Sequence, residues 1–153
     1  MAKFSFNGMD EISASFERLA SISDDDKIGI IMPAAEFLAE RQKAKIVEFF
    51  QQRTGNLRDS IKIKYKNDGN VSYAFISPEG KHAGSGTGKR KRKNGRSNGR
   101  YSGTNAEVAF ILNYGSPRIA ATHWLENANE EAEDEVMEIM EAAWNDVLDT
   151  KEL

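Results

Sequence analysis

The chain has 153 residues, enough for one core of ordinary size and too few for two, so we expect a single domain over residues 1–153. It has no cysteine, which excludes disulfides and thiolate metal sites, and no segment holds the roughly 20 apolar residues that span a bilayer, so we expect a soluble protein. The net charge of −3 conceals an asymmetry: residues 81–100 carry eight basic side chains and no acidic one, whereas residues 126–153 carry eleven acidic side chains and one lysine.

Apolar residues at three- and four-residue spacing predict a short amphipathic helix near the N-terminus. Its stripe consists of Met9, Ile12, Phe16 and Leu19. The run Asp24-Asp25-Asp26 then offers caps and favourable charge for the start of a long helix that ends near Gln52. Pro33 leaves two alternatives open, because it removes one backbone donor. Either the long helix kinks there, or residues 24–32 form a separate turn and Pro33 begins the main helix.

After residue 60 the apolar residues recur with period two, as in a strand. Residues 61–66 alternate apolar side chains with lysines, which predicts a strand with one wet, basic face. The turn Asn67-Asp68-Gly69-Asn70 then predicts a hairpin, and Pro78 ends its return strand. Alternating residues on the return strand are Val71, Tyr73 and Phe75, with Ala74 and Ile76 on its other face. Residues 108–114 are apolar on both faces, so we predict a third strand at the centre of the sheet.

The last segment is the clearest helix, with Thr122 as its predicted cap and an outer face made almost entirely of carboxylates. Its apolar stripe consists of Leu125, Ala128, Ala132, Val136, Ile139, Met140, Ala143, Trp144 and Val147. Together these elements predict an α+β fold. A largely antiparallel sheet of three or four strands would pack against the long central helix and the C-terminal helix.

Enzyme motifs are poorly matched. The two histidines, His82 and His123, have no second ligand at the spacing of a metal site, so we predict no metal and no cofactor. The sequence from Gly84 to Lys89 differs from a phosphate loop, because Arg90 stands where Ser or Thr is needed and neither flank fits. The many carboxylates of the last helix are expected to be solvated rather than catalytic. We therefore predict that the protein is not an enzyme.

Residues 81–103 predict a flexible basic loop, because they are rich in Gly, Ser, Asn, Lys and Arg and offer almost nothing to bury. Three interpretations stay open: contact with a DNA backbone, contact with an acidic surface of a neighbouring copy, or an inert solvated loop. DNA binding would be independent of base sequence, since nothing here looks like a recognition helix. Candidates for contact with DNA or another subunit are Lys89, Arg90, Lys91, Arg92, Lys93, Arg96 and Arg100.

Two short motifs, at residues 53–61 and 110–118, combine turns with apolar positions. Locally each is ordinary: Gly55 can end the preceding helix in a left-handed conformation, and Tyr114-Gly115-Ser116-Pro117-Arg118 predicts a strand end and a tight turn. In chain order, however, the motifs resemble a phage neck and tail-completion family, typified by the component encoded between the head-tail stopper and the tail terminator of siphoviruses. The matching residues are Thr54, Gly55, Leu57, Ser60, Ile61, Tyr114, Gly115, Ser116, Arg118, Ala121, Trp124 and Leu125.

The sequence also departs from that family. Gln51 and Gln52 stand where Pro is usual, Asn113 stands where Glu is common before Tyr-Gly, and His123-Trp124 replaces Pro-Phe. The basic loop looks like an insertion. The resemblance implies a structural virion protein of the neck or tail, assembled in the bacterial host cytoplasm. It would form a homo-oligomeric ring that contacts the connector or stopper and the tail terminator or tail tube, without a membrane and without catalysis.

Opposite charges on the basic loop and the acidic last helix could orient neighbouring subunits in such a ring, since ring contacts join two different surfaces. The alternative function, from a different class, is nonspecific nucleic-acid binding through residues 81–100. Both could apply, because DNA passes through a phage neck.

Overall fold

The computed structural model describes residues 9–50, 55–69, 71–82 and 103–151. Five helices and two strands follow one another in this part of the chain, in the order α1 (Met9–Ala20), α2 (Asp24–Phe49), α3 (Asn56–Asp59), β1 (Ile61–Asn67), β2 (Ser72–Pro78), α4 (Asn105–Tyr114) and α5 (Trp124–Thr150). The α+β class is confirmed. The expectation that residues 1–153 form one domain stays a prediction.

The two longest helices, α2 and α5, run antiparallel and pack against each other along their length. Ala128 and Ala132 of α5 are fully buried, and such small side chains let two helix backbones approach closely. Polar and charged pairs flank the contact, and their order along the two helices gives the antiparallel direction. They are Asp26 with Lys151, Arg41 with Glu135, Gln42 with Asn129, and Lys45 with Glu131.

The start of α2 is set by a capping box, in which Ser23 accepts from the backbone N–H of Asp26 and the Asp26 carboxylate accepts from that of Ser23. The predicted acidic first turn is confirmed. Pro33 lies inside α2, so the helix does not begin there. The helix ends at Phe49 rather than near Gln52, and residues 51–54 lie outside the described part. The described core joins Ile46 of α2 to Ile61 of β1 and Trp124 of α5.

The predicted hairpin is confirmed, with Ile61 paired to Pro78 and Asn67 paired to Ser72 in an antiparallel register. It packs against α2, and its turn lies near the start of that helix, where Asn67 Nδ2 donates to Asp24 Oδ1 at 2.6 Å. The sheet of three or four strands was wrong, because the described sheet has two strands.

The predicted third strand was also wrong, because residues 105–114 form α4. A short apolar run cannot be assigned to strand or helix by periodicity alone. A capping box decides it here: Thr104 Oγ1 accepts from the Glu107 N–H, and Glu107 Oε2 accepts from the Thr104 N–H at 2.8 Å. The Thr-x-x-Glu spacing is visible in the sequence and could have identified this helix.

Two predicted caps also need correction. Gly55 has the expected left-handed φ of 65°, but it precedes α3 rather than directly ending α2. Thr122 is not the cap of α5, since its hydroxyl donates to the Leu112 carbonyl at 2.7 Å, and the residue before the helix is His123 with φ 50°. Thr122 therefore joins α5 to the end of α4.

Candidate assembly surfaces

The outer side of α4 carries an exposed aromatic pair. Phe110 is 62% and Tyr114 is 53% exposed, and their ring centroids lie 4.8 Å apart. Ile119, in the turn after the helix, is also exposed. We call Phe110, Tyr114 and Ile119 the aromatic patch. Large apolar side chains in contact with solvent are costly in a free subunit and typical of surfaces that another protein covers.

Beside this patch lies an apolar groove of about 330 Å³. One wall comes from β2, through Ile76 and Pro78, and another from the start of α5, through Trp124 and Leu125. Phe110 and Tyr114 also line the groove, so the aromatic pair and the groove form one surface.

Backbone contacts hold the turn between α4 and α5, which includes Ile119 of the aromatic patch. Gly115 has φ 80°, and a Cβ atom there would lie 2.8 Å from the backbone nitrogen of Ala121, so the turn requires glycine. Ser116 and Ile119 exchange two backbone hydrogen bonds of 2.8 and 3.1 Å. The backbone N–H of His123 donates to the Asn113 carbonyl at 3.0 Å, which ties the chain back to α4. The position of Tyr114 is thus determined by backbone contacts on its C-terminal side.

Most of the described family-motif residues are buried or half-buried, and fewer are exposed at the surface. Leu57, Ser60 and Ile61 are buried, with the Ser60 hydroxyl donating to the Leu57 carbonyl at 2.6 Å. Trp124 is 1% exposed, and its indole N–H lies 3.4 Å from the Ala109 carbonyl. Exposed motif side chains are Tyr114, Ser116, Arg118 and Ala121, and Thr54 lies outside the described residues.

Asn113 was not among the predicted site residues. It is 1% exposed, its Oδ1 accepts from the backbone N–H of Leu125 at 3.0 Å, and its Nδ2 donates to Glu126 Oε1 at 3.0 Å. Burial alone would raise the pKa of Glu126, but hydrogen bonds from its own backbone N–H and from Asn113 hold that pKa below its usual value. A polar residue in an apolar run was the available signal.

Backbone contacts join the residues on either side of the predicted basic loop, and we call this connection the stem. Lys81 pairs with Thr104 as an isolated antiparallel bridge, and the backbone N–H of His82 donates to the Gly103 carbonyl at 3.0 Å. Asn105, 2% exposed, reinforces the stem by donating from Nδ2 to the Glu79 carbonyl at 2.7 Å. The seven predicted contact residues from Lys89 to Arg100 lie outside the described residues, so their role stays a prediction.

An ordered basic surface lies on the outer side of the hairpin. The register places Phe75 opposite Lys64 and Tyr73 opposite Lys66, whereas Ala74 and Ile76 lie opposite the inward Tyr65 and Ile63. Tyr73 and Phe75 stack edge to face at 4.9 Å, and Lys66 Nζ lies 5.8 Å from the Phe75 ring centre. We call this surface the basic face; it consists of Lys62, Lys64, Lys66, Tyr73 and Phe75.

An acidic surface runs along the exposed side of α5. Glu130, Asp134, Met137 and Glu141 follow one another at spacings of four, three and four residues, which places them on one line of the helix, and all four are exposed. We call them the acidic stripe. Met137 is 62% exposed at its centre, flanked by carboxylates.

The first helix also exposes its apolar side chains. Phe16 is 66% and Leu19 is 41% exposed, and α1 does not pack along its length against any other element of the described chain. The predicted amphipathic helix is confirmed as a helix, but the described part of its stripe is not covered by the same chain.

Within the described ranges, no group of three or more His, Cys, Asp or Glu residues is arranged to hold a metal ion. No helix in this part of the chain is both long and apolar enough to cross a membrane.

A family model described as "HK97-gp10_like: Bacteriophage HK97-gp10, putative tail-component" matches residues 10–115, which is more than half of the chain. Residues 53–61 and the Tyr114-Gly115 step fall inside this match, whereas Ser116, Arg118, Ala121, Trp124 and Leu125 lie beyond it. No curated protein and no protein of known structure is similar enough to match the chain.

Proposed function

The chain belongs to the HK97-gp10-like family of phage tail components, and we propose that it is a ring-forming neck or tail-completion protein that joins the capsid connector to the tail. Its partners would be further copies of itself, the connector or stopper on one side, and the tail terminator or tail tube on the other. It would assemble in the host cytoplasm and remain in the virion.

The aromatic patch carries the proposal. Phe110 and Tyr114 pack against each other at the surface with tilted rings, they line an apolar groove, and both lie inside the range that the family model matches. Aromatic side chains at the centre of an interface supply much of its binding energy, and in a free subunit they would expose apolar area to water. A protein that acts by assembly would bury this surface in a contact with another subunit or a neighbouring protein.

The same residues support a structural rather than a catalytic role. Buried motif side chains such as Leu57, Ile61 and Trp124 form the core, and Gly115 fixes the turn that presents Tyr114. We therefore propose no reaction and no cofactor for this protein. Its mechanism is the fit of one rigid surface against another.

The direct test replaces Phe110 and Tyr114 by serine and supplies the variant in trans to a phage that lacks the gene. We expect association with copies or neighbours to weaken at least about tenfold, and heads without joined tails to accumulate in electron micrographs. Val47→Ser is the matched control, because Val47 is 53% exposed on α2, away from the patch. Normal numbers of tailed particles with the double variant would contradict the proposal.

A second candidate function is sequence-independent contact with DNA through residues 81–100. The stem at Lys81 and Thr104 supports it, because it holds both ends of an eight-cation segment beside the body. Neutralising Lys89 to Lys93 should reduce duplex DNA binding at low salt and flatten its salt dependence. If binding stays the same but assembly loses its salt dependence, the segment contacts a neighbouring subunit instead.

A further inference from the structure

We infer that the basic face of one copy docks on the acidic stripe of the next copy, with Phe75 packed against Met137. This contact rests on the proposed self-assembly and names the two surfaces that carry it. It pairs the acidic helix with the outer face of the hairpin, and the pairing of that helix with the basic loop stays a prediction.

The first argument is charge complementarity within a single chain. Lys62 and Lys66 have no ion-pair partner among the described residues, and Lys64 pairs with Glu79, which directly follows β2. On α5, Glu131 and Glu135 pair with α2, whereas Glu130, Asp134 and Glu141 have no ion-pair partner in the described part. Each surface thus keeps unpaired charge of one sign, and a second copy supplies the other.

The second argument is geometric. Successive lysines on one face of a strand stand about 6.8 Å apart, and residues four apart on a helix advance about 6 Å along its axis. Glu130 and Asp134 lie about 6 Å apart along the helix axis, so two successive lysines can each face one of them. Glu141 lies about 10 Å beyond Asp134, on the other side of Met137.

The third argument is that each surface includes one exposed apolar residue. Phe75 is 49% exposed on β2, directly opposite Lys64, and Met137 is 62% exposed between Asp134 and Glu141. A thioether packs favourably against an aromatic ring, and such a contact removes both side chains from water. Surrounding charges would then determine the register of the contact.

Both surfaces belong to elements that pack against α2, so each turns its exposed side away from the body. None of the three lysines pairs with an α5 carboxylate in the described structure. Two different surfaces on one subunit that fit each other make a head-to-tail contact, which closes into a ring when the rotation per subunit allows it.

Nucleic acid is the competing occupant of the basic face. The observations favour a second copy, because Tyr73 is held by a 3.0 Å hydrogen bond to Asp68 and leaves Phe75 as the one well-exposed ring of this face. A single ring is a poor platform for successive bases. The exposed Met137 on the acidic stripe also has no role in DNA binding.

The test uses disulfide trapping, since the chain has no native cysteine. Phe75→Cys combined with Met137→Cys should give a ladder of covalent oligomers under mild copper-catalysed oxidation, because each subunit can bond to two neighbours. Each single variant should give at most a covalent dimer. Phe75→Cys with Val47→Cys is the matched control, as Val47 is similarly exposed but lies outside both surfaces. Absence of a ladder in the first pair overturns the inference.

Charge reversal supplies the second readout. Changing Lys62, Lys64 and Lys66 to Glu, or Glu130, Asp134 and Glu141 to Lys, should each weaken self-association at least about tenfold in sedimentation velocity. Combining both sets should restore it. A control variant with Glu36, Glu40 and Glu48 changed to Lys has the same change of net charge as the acidic-stripe variant. Its changes lie on α2, so it should associate normally.

The outcomes separate this inference from the proposed function. If both reversed variants still oligomerise and tails still join, the contact is wrong but the neck role stands. If the lysine variant loses only DNA binding in a filter assay, nucleic acid is the true occupant. If the wild-type protein is missing from purified virions, the proposed function itself fails.

Discussion

The side chain of Asn113, near the end of α4, caps the first turn of α5: its Oδ1 accepts a 3.0 Å hydrogen bond from the backbone N–H of Leu125. The first four N–H groups of a helix have no partner within the helix, and the residue before α5, His123, makes no side-chain cap. A residue from another helix thus satisfies a donor of α5. This contact ties the end of α4 to the start of α5, beside the apolar groove that both helices line.

Asn113→Ala should destabilise the protein by about 1–3 kcal/mol, because it leaves the Leu125 donor and the Glu126 carboxylate without their buried partner. Urea unfolding followed by circular dichroism measures the change. Asn145→Ala, on the exposed side of α5, is the control and should lie within about 0.5 kcal/mol of the wild type. Equal stabilities of the two variants would show that the cap contributes nothing.

Gly115→Ala should destabilise the protein by at least about 1–3 kcal/mol, since it combines a positive φ with a Cβ that would lie 2.8 Å from the Ala121 nitrogen. Gly29→Ala is the opposite case. Gly29 lies inside α2, and a Cβ added there would meet no atom within 4 Å, so alanine should stabilise the helix by about 0.5–1 kcal/mol. Thermal unfolding of both variants tests this, and the same sign for both would contradict the explanation.

Ala132→Leu should destabilise the protein by about 1–3 kcal/mol, because Ala132 is completely buried where α5 packs on α2 and a larger side chain would force the helices apart. The matched control is Ala142→Leu on the exposed side of α5, where the same added volume reaches solvent. A chemical denaturation series gives both values. Unchanged stability of Ala132→Leu would mean that the two helices are less closely packed than the structure shows.

Stability should depend on the ionisation of Asp26 at acid pH. The backbone N–H of Ser23, then its hydroxyl and Lys151, lower the pKa of Asp26 below 3.8. A carboxyl whose pKa is lower in the folded than in the unfolded state stabilises the fold above its unfolded pKa, and this contribution is lost as the pH falls through the folded pKa. Asp26→Asn should therefore lose less stability than the wild type as the pH falls from about 5 through the lowered, folded-state pKa of Asp26.

Melting temperatures across that range provide the measurement. Asp25→Asn is the control, because Asp25 lies directly before Asp26, takes no part in the capping box, and makes the same change of charge in the same turn. Parallel pH curves for Asp26→Asn and the wild type would refute the assignment.

Several elements followed from local sequence alone. The three- and four-residue spacing of apolar residues predicted α1 and α5, and the alternation around Asn67-Asp68-Gly69 predicted the hairpin, because both periods reflect how side chains leave a regular backbone. The acidic run at residues 24–26 predicted the start of α2. Less of the candidate assembly surface could be predicted from the sequence. Tyr114 was singled out as a motif residue, but Phe110 was placed in a strand, since a uniformly apolar run has no period to distinguish strand from helix.

By itself, the sequence determined the positions of α1, α2, α5 and the hairpin turn, the polarity of charge along the chain, and the phage family to which it belongs. Only the tertiary structure decided that Asn113 caps another helix and that Lys64 and Phe75 share an outer face. The physical reason is the distance along the chain over which each interaction acts. Periodicity and capping act within one or two turns of chain, whereas a surface forms from residues far apart in sequence whose neighbours are chosen by packing.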